Sequence, residues 1–250
     1  MEQEHIGSYS EQTDTQLELI KCRYEFGLNE VKLKLPLESN LSEVNWLDIG
    51  SNLGIGVSSI SKEAKVIASD KEIEYLKAYK EEVIPKVVLD GANLPFASNS
   101  CKVVSCWETI EHLPMNDVNC MLDEIHRVLR DDGILLISTP NKDANGKAKM
   151  SPDHKQEFTY TELHMLLKSH GFKITDEYGQ SFIKEDNLLH QGFRSLRENY
   201  LVRNIYYRLP LSMIKAVREK SLNAFGCGEV RKKEEGEIER LMYFICSKVA

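Results

Sequence analysis

Asp48, Gly50, Asn52 and Gly54 occupy alternate positions in VNWLDIGSNLGIG (Val44 to Gly56), directly after an apolar run. An aspartate opening into a loop of small residues brings a carboxylate and closely approachable backbone to one place, which is what a polar ligand needs. A dinucleotide would require G-x-G-x-x-G at the strand end. Read from Gly50, those positions hold Gly50, Asn52 and Ile55; read from Gly54, they hold Gly54, Gly56 and Ser59. No G-K-[ST] follows, so a phosphate-cradling loop is a poor fit as well. Asn52 stands where a third glycine would serve best, and asparagine tolerates left-handed backbone better than other side-chain-bearing residues.

Further reactive groups come at the ends of other apolar runs. Asp70 closes KVIASD and Asp90 closes KVVLD, while Glu108 and His112 lie in CWETIEHLP and His154 in SPDHKQEF. A carboxylate at a strand end can accept from sugar hydroxyls. Glu108, His112 and His154 are candidates to take a proton near neutral pH, with His154 ranked ahead of His112. His126, His164 and His170 fall in helical pattern and read as structural or solvated. Simpler roles exist for single residues: Gly50 and Gly54 can shape a turn, and Asp48 or Asp70 can cap one. Those roles leave unexplained why acidic residues recur at two further strand ends.

The elements that must position these groups are legible as an alternation. Strands are expected at WLDI, KVIAS (65–69), KVVLD (86–90), KVVSCW (102–107), ILLIST (134–139) and KITDEY (173–178), with a final one in RLMYFICSKV (240–249). Runs so apolar, bounded by turn residues, suit strands covered on both faces. Val118, Met121, Leu122, Ile125, Val128 and Leu129 form one helical stripe, with Gly133 as its stop signal. Helices alternating with strands imply a parallel sheet with right-handed crossovers. Residues 1–42 are expected as a helical N-terminal cap, 43–180 as the core, 181–238 as a helical insert or lid, and 239–250 as a last strand completing one domain.

Composition limits the classes. Hydrophobic residues make up 42% and charged residues 28% of 250, which suits a globular core. A net charge of −7 argues against coating nucleic acid, and nucleic acid is not an expected partner. No apolar run nears the ~20 residues of a membrane span. The acidic, polar N-terminus does not resemble a targeting peptide, so a cytoplasmic location is expected. Cys22, Cys101, Cys106, Cys120, Cys227 and Cys246 show no C-x-x-C spacing, so reduced thiols, and no metal site, are expected.

Five stretches, in order, resemble class I S-adenosylmethionine-dependent methyltransferases of the small-molecule, type 11-like group, which includes quinone-pathway enzymes. They are the Asp48–Gly54 loop, KVIASD, VLDGANLPFASNS, VVSCWETIEHLP and EIHRVLRDDGILLISTPN, spanning roughly residues 40–178. Asn52 departs from the family's middle glycine and Asp132 from the first glycine of its R-V-L-x-x-G-G stretch. The resemblance implies an α/β, Rossmann-like, doubly wound sheet of seven mostly parallel strands, with an antiparallel C-terminal strand and a helical insert before it. It implies S-adenosyl-L-methionine as cofactor, held by Asp48, Gly50, Ser51, Asn52, Gly54, Asp70, Lys71, Asp90, Gly91, Cys106 and Trp107. Asp70 would take the ribose hydroxyls, Asp90 the adenine amino group, and the start of the helix after Gly54 the amino-acid carboxylate. Methyl transfer to O, N or C of an acceptor would follow, with Glu108, His112 or His154 as base only where the nucleophile arrives protonated. A tRNA-modifying enzyme and a non-catalytic S-adenosylmethionine-binding sensor are the competing readings.

Residues 181–233 hold eleven Lys or Arg against five Asp or Glu, a balance of +6 that leaves −13 for the rest of the chain. Phe182, Phe193, Tyr200, Tyr206, Tyr207 and Phe225 are interspersed. A basic, aromatic-rich lid suits an anionic small-molecule, glycan or lipid-linked acceptor, or peripheral contact with a membrane. A solvated basic face on packing helices is the plainer alternative.

Overall fold

The computed structural model describes residues 14–36, 40–79, 83–145, 151–184, 230–233 and 237–249. The expected insert therefore lies, for residues 185–229, outside the described part, together with its Arg, Lys and aromatic residues there.

A long helix, α1 (Asp14–Lys34), leads to β1 (Trp46–Ile49), α2 (Ile55–Ile60), β2 (Val66–Asp70), α3 (Ile73–Lys77) and β3 (Lys86–Val88). Then come β4 (Cys101–Trp107), a 3-10 turn (Ile110–His112), α4 (Met115–Val128) and β5 (Leu129–Pro140). Two further helices, α5 (Lys142–Asn145) and α6 (Tyr160–Ser169), precede β6 (Phe172–Lys184) and β7 (Glu237–Lys248). The strands form one sheet in the order β3-β2-β1-β4-β5-β7-β6. β1 to β5 pair in parallel, and β7 runs antiparallel to both β5 and β6. This is the expected mixed α/β sheet.

Its alternating side chains build two cores. Leu47, Ile49, Val104, Cys106, Leu135 and Ile137 pack toward α4 and α6. Trp46, Val103, Trp107, Leu136 and Tyr243 pack toward α1 and α2 through Tyr24, Leu28 and Val31. On α4, Val118, Met121, Leu122 and Ile125 are fully buried, and truncating any one of the larger three to Ala removes about 2–5 kcal/mol.

Three sequence expectations move. The α4 stripe stops at Val128, five residues before Gly133, because Leu129 turns to extended backbone and already pairs with Cys101. Gly133 is needed for another reason: a Cβ there would lie 2.8 Å from the Arg130 carbonyl oxygen. Asp132, the departure from the family glycine, is on the surface, paired with Lys102 and Arg130. Finally, the 180/181 and 238/239 boundaries shift, since β6 runs to Lys184 and β7 begins at Glu237, those two residues being paired.

Candidate active site

Strand order reverses between β1 and β4, so the loop after β1 stands at the switch point where open sheets bind ligands. Asp48 governs its shape from below. It has no exposed surface, and three hydroxyls donate to it: Tyr24 Oη (2.8 Å), Ser51 Oγ (2.6 Å) and Ser105 Oγ (2.6 Å). Burial pushes its carboxyl up to about 6, with the hydroxyls from Ser105, Ser51 and Tyr24 pulling the other way. Asp48 is thus a support for the loop and presents no surface to a ligand, a correction to its expected place among the contacts.

The loop itself is tied to β2. The Gly50 and Ser51 amides both donate to the Ser69 carbonyl, at 2.9 and 2.8 Å. Gly50 and Gly54 take φ of +77° and +75°, and Asn52 takes +49°, so the asparagine accommodates the left-handed backbone as its residue type allows. Its Oδ1 accepts from the next amide, Leu53 N, at 2.6 Å. A Cβ on Gly54 would lie 2.2 Å from the Tyr79 ring, and one on Gly50 would lie 2.5 Å from Thr109 Oγ1. These glycines therefore serve close packing as well as the turn. Helix α2 is only six residues long, so its macrodipole is not assigned the role of carboxylate receptor expected from sequence.

Asp70 closes β2 beside the loop. Oδ2 accepts from Asn52 N (2.9 Å) and Oδ1 from Glu72 N (3.0 Å), which fixes the carboxylate while each oxygen keeps accepting capacity. Burial raises its pKa, and the two backbone donors oppose that shift. Asp90 lies across the opening, exposed, with Oδ1 accepting from Ala92 N and Oδ2 3.5 Å from Lys71 Nζ. Gly91 occupies the turn that bridges Asp90 to Asn93, where a Cβ would approach Met121 Sδ to 2.8 Å. The side chains of Cys106 and Trp107 are buried in the two cores. The Cys106 thiol points into the α4 core, and burial raises its pKa. The Trp107 ring is wedged between Tyr24 and Tyr243, at centroid distances of 5.9 Å to each, which makes it a packing residue.

Beyond β4 and β5 the three expected bases come together, with one residue the sequence reading passed over. Glu108 has φ +49°, a strained angle for a residue with a side chain, and is held by Ser138 through its amide (3.0 Å) and carboxylate (2.9 Å). Glu111, 1% exposed, accepts from Thr139 Oγ1 at 3.0 Å. Its backbone oxygen receives the amides of Lys155 (2.7 Å) and Gln156 (3.2 Å), which clamps the loop carrying His154 against the 3-10 turn. The rings of His112 and His154 then meet edge to face at 5.0 Å. Burial raises both carboxyls; Glu108 raises Glu111 further, while the buried Arg23 guanidinium tempers Glu108. Glu111 could have been noticed from ETIEH, where it lies between two selected residues. Arg23 and Tyr24 left no such trace, since nothing local links α1 to strand ends.

Residues 47–137 match the family model described as "Methyltransferase domain". The matched stretch runs from β1 into β5. A "Probable S-adenosylmethionine-dependent methyltransferase" of Mycolicibacterium smegmatis is 31% identical over 139 residues, covering 53% of each chain. A demethylmenaquinone methyltransferase of Corynebacterium kroppenstedtii is 32% identical over 98 residues, 38% of this chain and 42% of that one. The chain spans about half the length of the curated relatives it matches. A crystal structure of an S-adenosylmethionine-dependent methyltransferase from Clostridium acetobutylicum superposes with a TM-score of 0.59 at 9% identity, over 92% of each chain, which speaks for the fold. In the matched stretch the carboxylates of Asp70 and Asp90 stand at the ends of neighbouring elements of the sheet and offer oxygen acceptors. A cavity of about 770 Å³ lies elsewhere, over β6 and β7, lined in part by Asn141, Tyr160, Tyr178, Lys232 and Phe244. It contains none of the residues of the loop after β1. Among the described residues no helix is long and apolar enough to cross a membrane.

Proposed function

We propose that the chain is an S-adenosylmethionine-dependent methyltransferase acting on a small-molecule, glycan or lipid-linked acceptor. The observation that carries this is the Asp70 carboxylate, fixed between the Asn52 and Glu72 amides at the switch point of the sheet. Asp70 would hold the ribose diol, Asp90 and the Gly91 backbone the adenine edge, and the Gly50–Gly54 backbone the amino-acid end. Lys71, paired with Asp90, would close the rim. The bound cofactor supplies an electrophilic methyl group: a bond forms from acceptor to methyl carbon while the carbon–sulfur bond breaks and its electron pair stays on sulfur.

The chain's own part is alignment, since near-attack placement alone lowers such barriers by several kcal/mol. Glu108, His112 and His154, backed by the buried Glu111, would face the acceptor's reacting group beyond β4. The excess of positive charge in the sequence of residues 181–233 favours an anionic acceptor, in the cytoplasm or at a membrane surface. The homologous names extend from quinone rings to carrier-bound acids, which supports the acceptor class without narrowing it.

Titration calorimetry with S-adenosylmethionine, followed by labelled methyl transfer into extract metabolites, tests this. Binding with incorporation into a small molecule or lipid fraction is expected; binding with label only in RNA would overturn the acceptor class, and absence of binding the whole assignment.

A further inference from the structure

The N-terminal helix carries a buried cation whose two outer nitrogens have no partner among the described residues. Arg23 lies on α1, outside the matched residues 47–137, and is 8% exposed. Its Nε donates to Tyr243 Oη at 3.0 Å, and that hydroxyl gives its own proton to Gln180 Oε1 at 2.6 Å. This fixes the guanidinium, while Nη1 and Nη2 stay without a hydrogen bond or ion pair to any described residue. A cation buried in this way is costly until an anion completes it. Glu108 lies within electrostatic reach, but Ser138 Oγ holds its carboxylate at 2.9 Å. Ser138 and Tyr243 are direct cross-strand partners, so Arg23 and Glu108 are held from adjacent positions with no ion pair between them. Trp107 Nε1 is a second buried donor without an acceptor on this face. Its ring packs on Tyr243 at a centroid distance of 5.9 Å. Its Cζ2 lies 2.9 Å from where a Gly27 Cβ would stand, one turn beyond Arg23 on α1.

We propose that Arg23 receives the amino-acid carboxylate of S-adenosylmethionine. This rests on the methyltransferase function proposed above and completes its cofactor site. With Asp70 and Asp90 holding the nucleoside on the β2 and β3 side, the amino-acid arm extends across β1 toward β4. Arg23 stands along that path. Tyr24, the next residue on α1, reaches Asp48 in β1, and Arg23 itself faces Glu108 just past β4. With Nε taken by Tyr243, the remaining Nη1 and Nη2 form a planar two-donor fork that fits both oxygens of a carboxylate. Helix α2, six residues long, offers no such charge, so the guanidinium takes the role expected of that helix start. The Gly50–Gly54 backbone carbonyls are left to the ammonium group of the same arm.

Calorimetry on the full chain tests this by comparing S-adenosylmethionine with its decarboxylated analogue, which keeps the nucleoside, the sulfonium and the amino group. The unaltered chain should bind the analogue about 10–100-fold more weakly, the order of a charge-assisted carboxylate contact. Arg23→Gln should bring S-adenosylmethionine down to the analogue's level and leave the analogue within about twofold. Arg23→Lys, which keeps the charge without the fork, should show a smaller preference than the unaltered chain. Lys32→Gln, which removes an exposed charge of the same helix, should alter neither ligand. Damage to the fold would weaken both ligands alike, so the ratio decides; should Arg23→Gln fail to fold, the ratio for Arg23→Lys decides in its place. If the unaltered chain binds both ligands equally, or the substituted chain keeps the full preference, the carboxylate contact is overturned and the methyltransferase stands. If neither ligand binds the unaltered chain, the methyltransferase reading falls and the role of Arg23 falls with it.

Discussion

The loop after β1 and the cluster beyond β4 lie at the ends of neighbouring strands, yet they are held by different means. The loop is neutral backbone tied to β2 by short-range hydrogen bonds, with its one deep charge, Asp48, satisfied by three hydroxyls. The cluster crowds two carboxylates and two imidazoles, hangs them on a left-handed Glu108, and relies on a loop about forty residues downstream to bring in His154. One region is held by neutral backbone hydrogen bonds and is the proposed place of the cofactor. The other holds Glu108 in left-handed backbone and buries two carboxyls, which is where variable chemistry is expected.

Asp70→Ala should break the cofactor side most severely. It removes the fixed carboxylate and frees the Asn52 amide, so calorimetry should register a loss of S-adenosylmethionine affinity of about 100-fold or more, the order of two charge-assisted hydrogen bonds.

Asp48 gives the next largest effect, on stability. Its folded pKa of about 6 lies above its ordinary 3.8. Its contribution is therefore complete below pH 3.8 and lost as pH rises through about 6, by about 3 kcal/mol. Urea midpoints for Asp48→Asn should show that part of the decline between pH 4 and 6 abolished, and a parallel decline in both proteins would contradict it.

Glu108→Gly sharpens the contrast from the other side. Glycine accepts φ +49° without strain, so the thermal midpoint should rise by a few degrees, about 1 kcal/mol. Cofactor affinity should stay within about twofold while methyl transfer falls steeply, and an unchanged rate would show that Glu108 is not part of the reacting surface. Lys71→Ala should have the smallest effect. Its pair with Asp90 is 3.5 Å long and solvent-exposed, so stability should change by less than about 0.5 kcal/mol.

The same contrast explains what was legible beforehand. Strand order and the cofactor loop follow from contiguous patterns: apolar runs, glycines at alternate positions, and acids at strand ends. Tyr24 reaching Asp48 across 24 positions, and Thr139 reaching Glu111 across 28, arise only once the sheet is assembled. Glu111 went unnoticed because only its burial and its contact with Thr139 set it apart from Glu108 in ETIEH. Strand alternation directs the Trp107 ring to the α1 side of the sheet, where Tyr24 and Tyr243 enclose it, and neither partner is near it in sequence.

The most direct test is a calorimetric titration of S-adenosylmethionine into the whole chain, into Asp70→Ala and into His154→Asn. One bound nucleoside in the first, none detectable in the second and unaltered affinity in the third is the expected pattern. Equal binding to Asp70→Ala, or none to the unaltered chain, would contradict the placement of the cofactor at the end of β2.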